Sequence, residues 1–201
     1  MRESTTGYVI LGVLATIGPA SGYDIHQFIR ESVSFFWSES YGQIYPQLKA
    51  LRAAGLVSPL ARHTRDARRR QRVRITPAGR RALQAWLDKP ARPEQVRVEF
   101  LVKLFFGHEA SPGASRAHVE AITARHRERL AALDRIGGPA VVENAEAPQF
   151  VYWLLALRYG QVMSRARVRW GKDAERLLAS AARGGNAAVL ATWRALMKED
   201  V

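Results

Sequence analysis

The chain has 201 residues, 47% of them hydrophobic, which excludes wholesale disorder and leaves room for one domain or two small ones. Its net charge of +13 favours a polyanionic partner, nucleic acid before others. There is no cysteine, so disulfides, thiolate zinc sites and thiol redox chemistry are excluded. No apolar run approaches the roughly 18 residues of a membrane span. Met1-Arg2-Glu3-Ser4 does not open a signal peptide. The expected product is soluble and cytoplasmic, with no membrane partner.

Only five of the 31 basic residues are Lys, so a compositional bias toward Arg accounts for part of the charge. Placement decides its meaning. Residues 62–81 carry nine Arg against one acid, Asp66, whereas residues 89–201 carry eighteen basic against twelve acidic residues. The charge is focused, and focus is what contact with phosphates requires.

In chain order, residues 6–17 are apolar nearly all round and predict a helix buried on most sides, stopped by Gly18-Pro19. Ser21 opens a second helix with Asp24 as its capping-box partner, and Tyr23, Ile25, Phe28 and Ile29 are placed on its apolar face. A third helix is expected over about 40–54, from the spacing of Ile44, Leu48 and Leu51 and the stop at Gly55. Pro46 inside it is tolerable only near the helix start. The period then changes. Residues 56–60 and the alternating 72–76 read as strands flanking an arginine-rich tip at 64–70, and Thr76-Pro77 caps a fourth helix running through Trp86.

Helix, helix, helix, hairpin, helix is the order of a winged helix-turn-helix, placed at 1–88. The prolines of 89–93 mark a linker. Beyond it, 94–201 reads as helical throughout: an apolar block at 94–106, a coiled-coil-like seam of Val119, Ile122, His126, Leu130 and Leu133 over 112–135, an apolar segment at 148–171, and a short helix at 186–198. The fold expected is therefore mainly α: an N-terminal winged helix-turn-helix domain with a two-stranded wing, plus an all-α C-terminal dimerisation domain. The seam and the stretch 150–157 are too apolar to stay exposed and are expected to pack within the chain and against a second copy.

Residues 41–57, YGQIYPQLKALRAAGLV, resemble the third-helix signature of the PadR family of transcriptional regulators. The likeness extends to 8–25 (YVILGVLATIGPASGYDI) and 72–87 (RVRITPAGRRALQAWL), then more loosely to 98–106 and 152–170. The resemblance accommodates Pro46, since a Tyr-Pro pair inside the third helix is typical of that family. It implies a winged-helix homodimer, commonly a repressor, often released by a small aromatic or drug-like compound.

In helix-turn-helix docking the start of the third helix enters the major groove. That makes Ser40, Tyr41, Gln43, Tyr45, Gln47 and Lys49 the candidate contacts to double-stranded DNA. Gln43 and Gln47 have the amide geometry for adenine edges, and the tyrosines can donate to phosphate. At the wing, Arg65, Arg68, Arg69 and Arg70 carry long guanidinium arms toward phosphates or the minor groove. Phe105, Tyr152, Trp153, Tyr159 and Trp170 suggest an aromatic-lined effector pocket between domains, although aromatics at helical spacing commonly form core.

Neither an enzyme nor a cofactor or metal site is expected. The five histidines (His26, His63, His108, His118, His126) lack ligand spacing, and no phosphate loop or nucleophile–base set is present. RNA recognition would prefer aromatic platforms on strands, and 57–60 and 72–76 have none. A protein-interaction module and a non-repressing architectural DNA-binding protein stand as the alternative readings.

Overall fold

A computed structural model describes residues 4–60, 71–94, 96–138, 141 and 145–199. The chain divides into two compact units, Met1–Glu94 and Gln95–Val201.

In the first unit, α1 (Thr5–Ile17), α2 (Gly22–Ser32) and α3 (Tyr41–Ala53) precede a hairpin of β1 (Val57–Pro59) and β2 (Val73–Ile75), and α4 (Pro77–Leu87) follows. The strands pair antiparallel, Val57 opposite Ile75 and Pro59 opposite Val73. Val73 also exchanges both backbone hydrogen bonds with Ala20, which ties the hairpin to the entry of α2. Ile10, Leu11 and Leu14 of α1, Ile25 and Ile29 of α2, Ile44 and Leu51 of α3 and the strand residues Val57, Val73 and Ile75 form one buried core. Each such side chain taken from water contributes roughly 1.5–3 kcal/mol. The caps are those the sequence suggests. Ser21 N–H donates to Asp24 at 2.9 Å while Asp24 N–H donates back to Ser21 Oγ at 3.2 Å. Thr76 Oγ accepts from Gly79 N–H at 3.0 Å.

Two expectations need correction here. Tyr23 is exposed, not part of the apolar face of α2. Two residues of helix turn the chain through about 200°, so it points away from Ile25. Pro46 lies in the second turn of α3, not at its start. The carbonyl it leaves without a donor belongs to Gly42, an exposed residue, where water can supply the missing bond.

The second unit is helical: α5 (Glu99–Phe105), a single 3-10 turn (Gly107–Glu109), α6 (Ala114–Ile136) and α7 (Phe150–Glu199). α6 and the first arm of α7, 150–183, run antiparallel. Asp134 near the end of α6 accepts from Gln161 at 2.8 Å and Arg165 at 3.2 Å, while Thr123 meets Gly171 farther along. The approach is very close, because a Cβ at Gly171 would sit 1.9 Å from Thr123 Oγ1. Gly160, Ser164, Gly171 and Ser180 are the buried residues of this arm, so small side chains let the two backbones meet.

The sequence suggests separate helices at 148–171 and 186–198. The helical run instead continues through 172–183 and bends at Gly184-Gly185, where Gly185 takes φ 60°, ψ −154°. That conformation is open to glycine and strained for other residues. The terminal arm, 186–199, is held by Arg176, which donates to both carboxylate oxygens of Glu199 at 2.8 and 2.9 Å.

Candidate nucleic-acid interface

The site is built at the front of α3. Ser40 is extended (φ −89°, ψ 160°) and starts the helix as its N-cap. Both its backbone N–H and its hydroxyl donate to Gln43 Oε1, at 2.9 and 3.0 Å. This fixes where α3 begins, and it also changes the chemistry open to Gln43. Pairing with an adenine edge needs an amide oxygen and an amide nitrogen together. In this structure the oxygen is committed to the cap, so Gln43 presents only its Nε2 donor.

Tyr41 and Tyr45 project from successive turns and are exposed. They belong to a ladder of rings that spans α2 and α3. Tyr41 stacks on His26 with centroids 3.9 Å apart, and Tyr23 and Tyr45 each lie 6.4 Å from Tyr41. Tyr45 rests across Gly22, where a Cβ would come within 2.8 Å of Cε1. The ridge presents three phenol hydroxyls on one surface, each able to donate to a phosphate oxygen. Tyr23 and His26 were not among the sequence candidates. A strict helical wheel for α2, with Tyr23 opposite Ile25, was the available signal.

Lys49 and Ser40 are exposed as expected. Gln47 is half-buried and faces α1, with its Oε1 3.5 Å from where a Cβ at Gly7 would lie. Ile44 and Leu51, three residues before it and four after, are buried and set that face. Gln47 is therefore partly taken up in packing against α1 in this structure. The turn before α3 is pinned by the Trp37 indole N–H, which donates to the buried Glu39 carboxylate at 2.8 Å.

The hairpin brings Arg72 and Arg74 to the same end of α2 on which Tyr45 rests. Arg72 donates to the Pro19 carbonyl, and Arg74 Nε to Ser58 Oγ at 3.2 Å; both arginines are exposed. The predicted wing contacts Arg65, Arg68, Arg69 and Arg70 lie outside the described residues. In the second unit, Trp170 lines a cavity of about 380 Å³. Phe105, Tyr152, Trp153 and Tyr159 are exposed and line no part of it, because the seam of α6 packs against α7 through other positions. Trp170 packs against Phe100, centroids 5.5 Å apart.

The family model for the transcriptional regulator PadR-like family matches residues 10–85, and that for the virulence activator alpha C-terminal region matches 96–179. Residues 10–85 belong to the PadR-like family of transcriptional regulators. The negative transcriptional regulator PadR of Bacillus subtilis (strain 168) is 35% identical over 100 residues, 49% of this chain and 54% of that protein. The matched stretch thus spans about half of that relative. The solved structure of Bacillus subtilis PadR in complex with operator DNA is similar over 84% of this PadR-like chain and 96% of that one, at 26% identity and TM-score 0.69. The same protein in complex with p-coumaric acid is similar over 84% and 95%, at 26% identity and TM-score 0.64. The Vibrio cholerae virulence activator AphA is similar over 87% of this chain and 98% of its own, at 29% identity and TM-score 0.67. Among the described residues no helix is long and apolar enough to cross a membrane, and no group of three or more His, Cys, Asp or Glu could hold a metal ion.

Proposed function

We propose that this chain is a repressor that binds a pseudo-palindromic operator in double-stranded DNA as a homodimer and is released by a small aromatic effector. The observation that carries the reading is the exposed tyrosine ridge on α2 and α3 beside a hairpin whose loop is rich in arginine. The operator complex of the Bacillus relative supports DNA as the partner, and that relative's name as a negative regulator favours repression. The p-coumaric acid complex of the same relative supports a small-molecule effector. Pairing of two copies is supported by a stripe on α7, Val151, Leu155, Tyr159 and Val162, whose apolar side chains are exposed at helical spacing.

The test is a fluorescence-anisotropy titration of purified protein with the promoter region of its own gene and with a shuffled duplex. Tyr45→Ala is expected to weaken the specific duplex by about 1–3 kcal/mol and to narrow the gap to the shuffled one. Replacing Arg68, Arg69 and Arg70 together with Ala is expected to weaken both duplexes alike. It should also flatten the salt dependence by about 0.9 in slope for each phosphate that is no longer neutralised. Equal affinity of the wild type for the two duplexes at physiological salt contradicts the reading.

A further inference from the structure

The cavity in the second unit has walls of a distinctive kind. Trp170, Asp173 and Leu177 of the first arm of α7 face Trp193, Leu196 and Met197 of the terminal arm. Its volume of about 380 Å³ is in the range of drug-sized ligand sites. Asp173 is the only ionisable residue among its described lining residues. A carboxylate on an apolar wall ordinarily has a close cationic partner. Arg176 is the candidate, but its two strong contacts go to the oxygens of Glu199 at 2.8 and 2.9 Å, and it approaches Asp173 only to 4.0 Å. Asp173, whose side chain is 30% exposed, keeps part of its hydration and a 4.0 Å approach from Arg176, at a surface that also carries two indole rings.

We infer that this cavity binds a lipophilic cation: an aromatic or branched apolar body bearing one ammonium or amidinium group, which Asp173 pairs while the indoles of Trp170 and Trp193 pack against the body. The inference rests on the effector reading above, and it assigns this chain a ligand opposite in charge to the p-coumaric acid bound by the Bacillus relative. The chemistry selects by sign. An ammonium gains from the carboxylate and from the negative faces of both indoles. A ligand carboxylate of the same shape meets Asp173 as a like charge between the same apolar walls, and it is rejected. The terminal arm closes one side of the site, fastened by the Arg176–Glu199 pair and by Leu196, which is 7% exposed. Occupancy therefore bears directly on how this arm is held.

The experiment compares 4-phenylbutylammonium, 4-phenylbutanol and 4-phenylbutyrate, which share one apolar body and differ in charge. Binding to the full-length protein is read by calorimetry and by tryptophan fluorescence. The cation is expected to bind about tenfold more tightly than the alcohol, with the carboxylate weakest. Asp173→Asn should erase the order while leaving the melting temperature in place, and Trp193→Ala should weaken all three. Equal binding of the three probes, a preference untouched by Asp173→Asn, or no binding because a second copy fills the cavity each overturns the proposal. The ligand-free anisotropy titration above runs beside it. If operator binding is intact and the charge order is absent, this inference alone fails; if operator binding is itself absent, the regulator reading fails first.

Discussion

The two units solve the burial problem in opposite ways. In Met1–Glu94, large aliphatic side chains from every helix and both strands converge until Ile10, Leu11, Leu14, Ile25 and Ile44 are fully enclosed. In Gln95–Val201, Val119 and Leu133 are buried, but small or polar residues such as Thr123, Ser164 and Gly171 take many of the enclosed positions, while Leu155, Tyr152, Tyr159 and Phe105 stay in contact with solvent. The first unit completes its own core. The second brings backbones together and leaves many of its larger apolar side chains outward. A fixed platform for α3 and an apolar helical unit is the division of labour that the proposed pairing and effector response would need.

The contrast can be broken most forcefully in the first unit. Leu14→Ala leaves a cavity in an enclosed core and is expected to cost about 2.7–5 kcal/mol. Chemical denaturation followed by circular dichroism should show the first transition moving while helix signal from the second unit persists. A shift below about 1 kcal/mol would mean that the core is less tightly packed than its enclosure implies.

Next in size is Gly171→Ala, whose Cβ would fall 1.9 Å from Thr123 Oγ1. The expected cost is about 1–3 kcal/mol, read as a lower melting temperature of the second unit. Thr123→Ala in the same chain should recover part of it, because the nearest remaining atom, the Thr123 Cβ position, is 3.0 Å away. Recovery is the informative outcome, since a mere loss of helical geometry at residue 171 would not respond to a change at residue 123.

The outward stripe is tested by Leu155→Glu with Tyr159→Glu. Both residues are exposed, so the change should alter the stability of an isolated subunit by less than about 0.5 kcal/mol. Light scattering is then expected to report single subunits where the wild type reports pairs, and operator affinity should fall by about an order of magnitude or more. Unchanged mass would move the pairing surface elsewhere.

The smallest effect belongs to His126. Burial lowers its pKa from the ordinary 6.5, and the neighbouring Arg129, Arg167 and Arg125 push it the same way. A histidine held neutral in the fold contributes stability that is fully present above pH 6.5. That stability is lost as the pH falls through the lowered folded value, because the unfolded chain binds the proton first. Melting temperatures measured from pH 7.5 down to 5 should fall less for His126→Gln than for the wild type. Parallel curves would remove His126 from the acid response.

Much of this was readable from residues alone. The order of elements, the Ser21–Asp24 and Thr76 caps, and the core positions of α1 and α3 follow from local chemistry, which needs no knowledge of distant partners. Three things did not follow. Gln43 has the composition of a base reader, yet its oxygen closes the cap of its own helix, a choice decided by two hydrogen bonds and not by residue type. Gln47 looks solvated until α1 is placed across it. The aromatics of the second unit divide between cavity and solvent according to which face of α7 meets α6. Small residues at Gly160, Ser164 and Gly171 determine that face, and a search for large apolar side chains passes over them.

The proposed function has a paired molecule read duplex DNA with α3. It is tested most directly by incubating purified full-length protein with a pool of random duplexes, recovering the bound fraction at physiological salt and sequencing it. The expected result is enrichment of an inverted repeat, its half-site centres separated by one helical turn of about 34–36 Å or a multiple, and loss of that enrichment with Tyr45→Ala. Recovery of sequences with no internal symmetry, or of the same sequences by the Tyr45→Ala protein, would contradict it.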